Sequence, residues 1–187
     1  LKTQRERDYV DALAIFFKDL NTANYRERAE AFEKAMAQLA QQNADDSEAT
    51  VLYALILSRN FDPTDKTYRN QLHAAELLEP IFAREPNHPG VAHYLIHSYD
   101  YPPLAKLGID AARKYAKIAP DTPHSLHMPS HLFTLPGFWQ ESIDTNRRAA
   151  EMADDSITHD GHHASDYMVY AHLQLGQDLA ARKVMEQ

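Results

Sequence analysis

The sequence predicts an all-α protein built from stacked antiparallel helical hairpins, about five in number, on three observations. First, one set of residues recurs 34 positions further along the chain: Pro86, His93 and His97 return as Pro120, His127 and His131. Second, the periodic segments are filled with alanine, leucine, glutamate, lysine, arginine and glutamine, which are good helix formers. Third, only 5 of the 187 residues are glycine, and most of the 10 prolines lie at junctions between predicted elements.

The 34-residue spacing indicates which kind of helical repeat is present. A fixed period of about 20 to 50 residues is typical of proteins whose units stack on their neighbours, and 34 is the tetratricopeptide period. The repeat is degenerate, and Asn146 stands where a large apolar residue is expected on the second helix of its unit. We therefore predict a tetratricopeptide-like α-solenoid that occupies residues 1–187 as a single domain.

The first hairpin is predicted from the spacing of its apolar residues. Residues 8–20 and 25–41 each place apolar side chains three or four positions apart, as on one face of an amphipathic helix. The polar residues 21–24 between them predict a turn. The two helices should therefore form a helical hairpin.

The second unit is predicted to begin with a buried helix and to contain a long loop. Residues 48–59 are apolar on nearly every side, as expected for a helix packed between neighbours, and Ser47 can cap it. Residues 60–69 are too polar and too rich in turn formers to continue the helix. The helical pattern resumes over residues 70–84, where Pro80 should bend the helix.

Prolines and polar stretches divide the rest of the chain into three further hairpins. Their predicted helices cover 89–101 and 104–118, 123–136 and 138–153, and 162–175 and 178–187, with a loop at 154–160. Within the predicted helix at 123–136, Pro129 disfavours helical dihedral angles at Met128. The helix either begins near Pro129 or kinks there, and in the first case His124 and His127 would lie on the preceding loop.

Charge and composition limit the class of protein and of partner. The formal net charge is −8 and the sequence pI is near 5.7, and no basic stripe follows the chain, so we expect no nucleic-acid partner. The absence of cysteine excludes a disulfide framework, a thiolate metal site and a cysteine nucleophile. No apolar run approaches the about 18 to 20 residues of a membrane helix.

The sequence shows no recognisable targeting segment. The chain begins at Leu1 without a methionine and ends at Gln187 inside a predicted helix, so we expect it to be a piece of a longer protein. We expect a soluble protein of the cytoplasm or the periplasm. The sequence is compatible with either compartment and with any oligomeric state.

A histidine-rich set of residues is predicted to line the concave groove of the array. In such a superhelix the first helix of each pair faces inward, and residues three or four apart share one face of it. Three consecutive first helices place these residues on that face: His93, His97 and Asp100; His124, His127 and His131; His163, Asp166 and Tyr170. Because adjacent helices pack about 8 to 10 Å apart, side chains of neighbouring units can meet across the groove.

Two of these rows have the spacing of a bis-imidazole metal site. His93 and His97 are four residues apart, and so are His127 and His131, as in the paired histidines of metalloprotease helices. These four histidines are candidate ligands of a divalent metal such as zinc. The alternative is a scaffold in which the imidazoles form hydrogen bonds with carboxylates, backbone carbonyls and tyrosines such as Tyr167. No glutamate follows the first histidine of either pair, so the metalloprotease motif itself is absent.

Two sequence blocks resemble a group of bacterial proteins. The blocks are HPGVAHYLIHSYDYPPLA at 88–105 and APDTPHSLHMPSHLF at 119–133. They are similar to tetratricopeptide-like proteins of uncharacterised function in which an HPG-x-x-HYxIH block precedes an HMPSH block. The matching residues are His88, Pro89, Gly90, His93, Tyr94, Ile96 and His97, then His127, Met128, Pro129, Ser130 and His131. The resemblance implies an all-helical repeat fold and brings no established activity or cofactor.

Two functions from different classes fit the sequence. The first is a binding module whose histidine-rich groove takes a protein, a peptide or a small ligand. The familiar clamp for a peptide's C-terminal carboxylate needs lysine, arginine or asparagine at the groove positions, and the histidine, aspartate and tyrosine found there disfavour that mode. The second is a metal-dependent enzyme or metal-binding protein with the histidines as ligands. Because no complete catalytic set is visible, we predict the binding module, with a protein or peptide as partner.

Overall fold

The structure is a computed structural model that describes residues 2–153 and 159–186, without the side chains at 159 and 160. Within these ranges every regular element is a helix, which confirms the predicted all-α fold of tetratricopeptide-like hairpins. Among the same residues, no helix combines the length and the apolar character needed to cross a bilayer. The chain folds into two compact units, Leu1–Glu85 and Pro86–Gln187, and a single domain over 1–187 stays a prediction.

The first unit contains two helical hairpins. They are formed by α1 (Gln4–Phe17), α2 (Tyr25–Gln42), α3 (Ser47–Arg59) and α4 (Arg69–Arg84). Each helix packs against the next one along the chain, and the polar segment between α3 and α4 is not helical, as predicted. A buried core joins α1, α2 and α3 through Ala12, Met36, Leu39 and Ala49. Burial of these apolar side chains drives the hairpins together.

A carboxylate rather than a hydroxyl caps α3, which corrects the prediction for Ser47. The N-cap residue is Asp46, whose Oδ1 accepts a hydrogen bond from the Glu48 amide at 3.2 Å. The Ser47 hydroxyl donates instead to Glu85 at 2.6 Å. An ionised carboxylate at a helix N-terminus also interacts favourably with the helix dipole, which a neutral hydroxyl does not.

The second unit contains three hairpins, and their first helices lie side by side. Its elements are α5 (Pro89–Tyr99), a 3-10 turn (Ala105–Gly108), α6 (Ile109–Ile118), α7 (Pro123–His127), α8 (Pro129–Thr134), α9 (Trp139–Met152), α10 (His159–Gln174) and α11 (Asp178–Met185). The predicted loop at 154–160 falls mainly on residues 154–158, outside the described residues. Helix α5 contacts α8, and α7 contacts α10. The helices predicted to carry the site are therefore neighbours.

Gly108 allows the 3-10 turn to approach α5 and α8 closely. A Cβ atom at this position would lie 2.5 Å from Cδ1 of Leu132 and 2.9 Å from Cδ2 of Tyr99. Both neighbours are buried, at 0 % and 5 % exposure, so neither has free space to move into. The helix predicted over 104–118 thus begins with a tighter turn, and a glycine stands at the point of closest contact.

Pro129 interrupts the first helix of the fourth hairpin without ending its helical course. Met128 keeps helical dihedral angles, φ −51° and ψ −37°, and its amide donates to the His124 carbonyl at 2.9 Å. Pro129 occupies the first position of α8, where its missing N–H leaves no hydrogen bond unmade. Because α7 and α8 follow each other directly, His127 and His131 stay one helical turn apart.

Candidate functional site

The predicted site residues lie on the three neighbouring first helices of the second unit. Helix α5 carries His93 and His97, and Asp100 follows its last residue. Helices α7 and α8 carry His124, His127 and His131, and α10 carries His163, Asp166 and Tyr170. Their ring contacts group the histidines into two sets. We call these the His93 cluster (His93, His97 and His124) and the His127 triad (His127, His131 and His163).

The His93 cluster brings three imidazole nitrogens together. Nε2 of His93 lies 3.1 Å from Nε2 of His97 and 3.2 Å from Nε2 of His124. The His93 ring stacks on Tyr115 of α6, with ring planes 10° apart and centroids 5.3 Å apart. Burial raises the pKa of the Tyr115 hydroxyl. The cluster therefore packs against an aromatic ring that is uncharged at neutral pH.

The His127 triad has the composition of a three-histidine metal site. One ring nitrogen of each residue lies within 4.8 Å of those of the other two. Nε2 of His127 and Nε2 of His131 are 3.0 Å apart, and the ring centroids of His127 and His163 are 4.5 Å apart. His127 is buried, while His131 and His163 are half-buried. Neutral imidazole nitrogens are common ligands of zinc.

Three polar side chains contact the triad. Nδ1 of His127 lies 2.7 Å from Oδ1 of Asn146 on α9, and Nδ1 of His131 lies 2.9 Å from Oδ2 of Asp100. The Tyr167 hydroxyl lies 3.4 Å from the same nitrogen of His131. These contacts fix the orientation of the His127 and His131 rings. They are made by Nδ1 of each ring, while the two Nε2 atoms face each other.

Burial determines the charge of His127 at neutral pH. Desolvation lowers the pKa of His127 to about 4; its hydrogen bond to Asn146 opposes this shift, and the imidazoles of His131, His163 and His124 reinforce it. Burial, followed by the negative charge of Asp100, raises the pKa of Tyr167. His127 is therefore a neutral imidazole near pH 7, and Tyr167 is a neutral phenol.

A pocket of about 340 Å³ opens next to His131. Its lining comprises Asp100, His131, Thr134, Leu135, Asp166, Tyr167 and Tyr170. Among the described residues that line it there is neither a lysine nor an arginine. The pocket is thus acidic and aromatic, and it touches the triad at one histidine.

The structure arranges the predicted metal ligands in two places. His93 and His97 belong to one set and His127 and His131 to the other, and His124 and His163 supply the third histidine of each. Metal binding by the four histidines predicted from the sequence stays a prediction. Asp100, Asp166 and Tyr170, the non-histidine members of the predicted groove, line one pocket.

Comparison with known proteins relates the chain to solved structures at the level of the fold. No protein-family model and no curated protein matches it. It is similar to MamA 41-end from Desulfovibrio magneticus RS-1, with a TM-score of 0.72 and 11% identity over 97% of this chain and 93% of that one. A crystal structure of MamA protein gives a TM-score of 0.71 and 10% identity over 97% of this chain and 90% of that one. At these identities the likeness shows the fold alone.

Sequence reasoning missed two residues that support the site from second helices. Asn146 on α9 bonds to His127, and Tyr115 on α6 stacks on His93. The predicted groove positions belong to first helices only, so neither residue is among them. A signal existed for Asn146, because it is a polar residue at a repeat position where a large apolar side chain is expected.

Proposed function

We propose that this chain is a binding module of the tetratricopeptide-like class, and that its pocket takes a basic side chain, lysine or arginine, of a protein or peptide partner. The observation that carries the proposal is the lining of the pocket. Asp100 and Asp166 supply negative charge, and Tyr167 and Tyr170 supply aromatic rings. A bound cation would interact with both kinds of group.

The charge of the pocket selects the sign of its ligand. Two carboxylates, on a chain with a net charge of −8, attract cations and repel carboxylates and phosphates. Asp166 is exposed, so its carboxylate is accessible to a ligand that arrives from solvent. The familiar clamp for a peptide's C-terminal carboxylate uses lysine or arginine, and the described lining offers neither. Lysine and arginine are the protein side chains with the matching charge.

The size and the aromatic walls of the pocket suit a long side chain. Its volume of about 340 Å³ is near the lower end of ligand pockets, about 300 to 1,000 Å³, which admits one side chain rather than a folded segment. The methylene groups of lysine or arginine can pack on Leu135 while the charged head reaches the carboxylates. A cation near a tyrosine ring gains about 0.5–2 kcal/mol.

Capped amino acids test the proposal directly. N-acetyl-arginine amide and N-acetyl-lysine amide should bind to protein kept metal-free with a chelator, as followed by amide chemical shifts, and N-acetyl-glutamate amide should not. Asp166→Asn should weaken the binding of the arginine probe about tenfold or more, because a hydrogen bond to a charged group contributes about 1.5–3 kcal/mol.

The matched control removes an equal charge outside the pocket lining. Glu151 lies on the exposed face of α9. Glu151→Gln should leave the affinity for the arginine probe unchanged. Equal affinity for arginine and for the neutral N-acetyl-glutamine amide would refute the proposal. So would an equal loss of affinity in Asp166→Asn and Glu151→Gln, since that would reflect the net charge of the chain alone.

A further inference from the structure

The side-chain amide of Asn146 has one allowed orientation. Its Nδ2 lies 2.8 Å from the carbonyl oxygen of Ser142, which can only accept a hydrogen bond, so the nitrogen must face that carbonyl. Oδ1 therefore faces His127, 2.7 Å from Nδ1, and it also accepts from the Ser130 hydroxyl at 3.4 Å. Because Oδ1 is an acceptor only, Nδ1 of His127 must carry the proton.

The same reasoning fixes the tautomer of His131. Its Nδ1 lies 2.9 Å from Oδ2 of Asp100, and an ionised carboxylate accepts hydrogen bonds without donating any. Nδ1 of His131 therefore carries a proton as well. In the neutral form of each ring the single proton is then on Nδ1. Nε2 of both rings is unprotonated and carries a lone pair.

These two lone pairs face each other at short range. Nε2 of His127 lies 3.0 Å from Nε2 of His131. Two acceptors at this distance repel one another unless a positive charge lies between them. Either an additional proton or a metal cation can supply that charge, and the 4 % exposure of His127 makes a proton on its own ring costly.

The spacing and the supporting contacts match those of metal ligands. Zinc–nitrogen bonds of about 2.0–2.1 Å place two ligands of a tetrahedral ion about 3.3–3.4 Å apart, so the 3.0 Å separation needs only a small adjustment. Metal-bound histidines typically donate their other N–H to a carboxylate or a carbonyl oxygen, which is the role of Asp100 and Asn146 here. The third histidine, His163, already has a ring nitrogen within 4.8 Å.

We infer that His127, His131 and His163 form a binding site for one divalent transition-metal ion of the zinc class. Imidazole ligands favour zinc and its first-row neighbours over magnesium and calcium, which prefer oxygen. Three protein ligands leave a further position for water or an exogenous ligand. The site differs from the four-histidine set predicted from the sequence, because it includes His163 and excludes His93 and His97. It does not depend on the proposed recognition of basic side chains.

Metal titration of the untagged protein tests this inference. Protein stripped with a chelator should take up one equivalent of Co²⁺, seen in its visible absorption, and Zn²⁺ should displace it. His163→Gln should weaken the metal affinity at least a hundredfold. Asp100→Asn, which keeps all three ligands, should weaken it about tenfold to a hundredfold, the usual effect of changing a group that orients a metal ligand.

Two control variants separate this site from its rivals. His93→Gln should leave the affinity unchanged, although it removes a ligand of the sequence-predicted set. His73→Gln, an exposed histidine of the first unit, should also have no effect. Circular dichroism checks that each variant is folded.

Three outcomes would overturn the inference. One is uptake of less than about a tenth of an equivalent of metal, which would mean that a proton on His131 separates the two imidazoles. Another is retention of full affinity in His163→Gln. The third is loss of affinity in His93→Gln, which would favour the sequence-predicted set. A negative metal titration would not affect the test with the arginine probe, because that test is done on metal-free protein.

Discussion

Nδ1 of His127 lies 2.7 Å from the side-chain oxygen of Asn146, so a residue of α9 determines the tautomer of a histidine on α7. Asn146 is itself fully buried, and the hydrogen bonds of its amide to Ser142 and Ser130 hold it in place. The pair therefore joins the two helices of one hairpin. It should contribute to the stability of the metal-free protein as well as to metal binding.

Asn146→Leu should destabilise the metal-free protein by about 1–3 kcal/mol. The substitution roughly keeps the volume of the side chain but leaves the buried Nδ1–H of His127 without an acceptor, and an unsatisfied buried donor costs about that much. Urea unfolding in the presence of a chelator measures the change. Gln140→Leu on the exposed face of α9 is the control and should stay within about 0.5 kcal/mol of the parent protein.

The double variant His127→Leu/Asn146→Leu should be less destabilised than the sum of the two single variants. Replacing both partners of a buried hydrogen bond by apolar groups removes the unsatisfied donor along with its acceptor. A double-mutant cycle of unfolding free energies measures the coupling. Simple additivity would show that the 2.7 Å contact contributes nothing specific to stability.

Local sequence patterns predicted the helices because helix periodicity and proline positions are encoded in neighbouring residues. They failed where a contact is made by residues distant in sequence. The His127–Asn146 bond spans 19 residues and the His131–Asp100 bond spans 31. The repeat period placed the pair His93 and His97 and the pair His127 and His131 on neighbouring first helices. It could not indicate which third histidine would complete each cluster.

Pro129 is a second case in which local rules left the outcome open. Steric restriction of the residue before a proline favours extended dihedral angles at Met128, yet Met128 is helical with φ −51° and ψ −37°. Met128 is also buried, at 1 % exposure, and its amide bonds to the His124 carbonyl. Packing and hydrogen bonding in the folded unit therefore outweigh the local preference, which a sequence pattern cannot express.

The metal-free protein should lose stability in mild acid because of His127. Its pKa of about 4 lies below the ordinary value of 6.5, so between these values the unfolded chain binds a proton that the native protein does not. The free energy of unfolding therefore has its full value, as far as His127 is concerned, above about pH 6.5. It falls by up to about 3 kcal/mol as the pH decreases toward 4. The facing groups His131, His163 and His124 disfavour the charge further.

Urea unfolding at a series of pH values between about 4.5 and 7 tests this prediction, because the range lies between and just above the native and unfolded pKa values. The free energy of unfolding is measured for the parent protein and for His127→Gln. The variant should have a shallower dependence on pH over this range, whatever its stability at pH 7. Parallel curves for the two proteins would contradict the assignment of a buried neutral imidazole at this position.

Gly108→Ala should destabilise the protein by about 1–3 kcal/mol through overpacking. The new methyl group would lie 2.5 Å from Cδ1 of Leu132 and 2.9 Å from Cδ2 of Tyr99, and both side chains are buried. Adding Leu132→Ala should relieve part of this clash, so the double variant should be more stable than additivity predicts. Thermal melting of the four proteins tests this, and strict additivity would contradict it.

Zinc should weaken the binding of the arginine probe if both proposals hold. His131 belongs to the triad and also lines the pocket, and Asp100 both bonds to His131 and lines the pocket, so a metal ion and a guanidinium group share one carboxylate neighbour. Two cations close together repel each other, and by linkage each must lower the affinity of the other by the same factor.

Titrations of the arginine probe with and without saturating zinc measure this coupling. They should differ several-fold, and the zinc titration should shift equally when the probe is present. In His163→Gln, which should no longer hold the metal, zinc should have no effect on the probe. An increase in probe affinity with zinc would mean that the metal orders the pocket rather than competing with its ligand for negative charge.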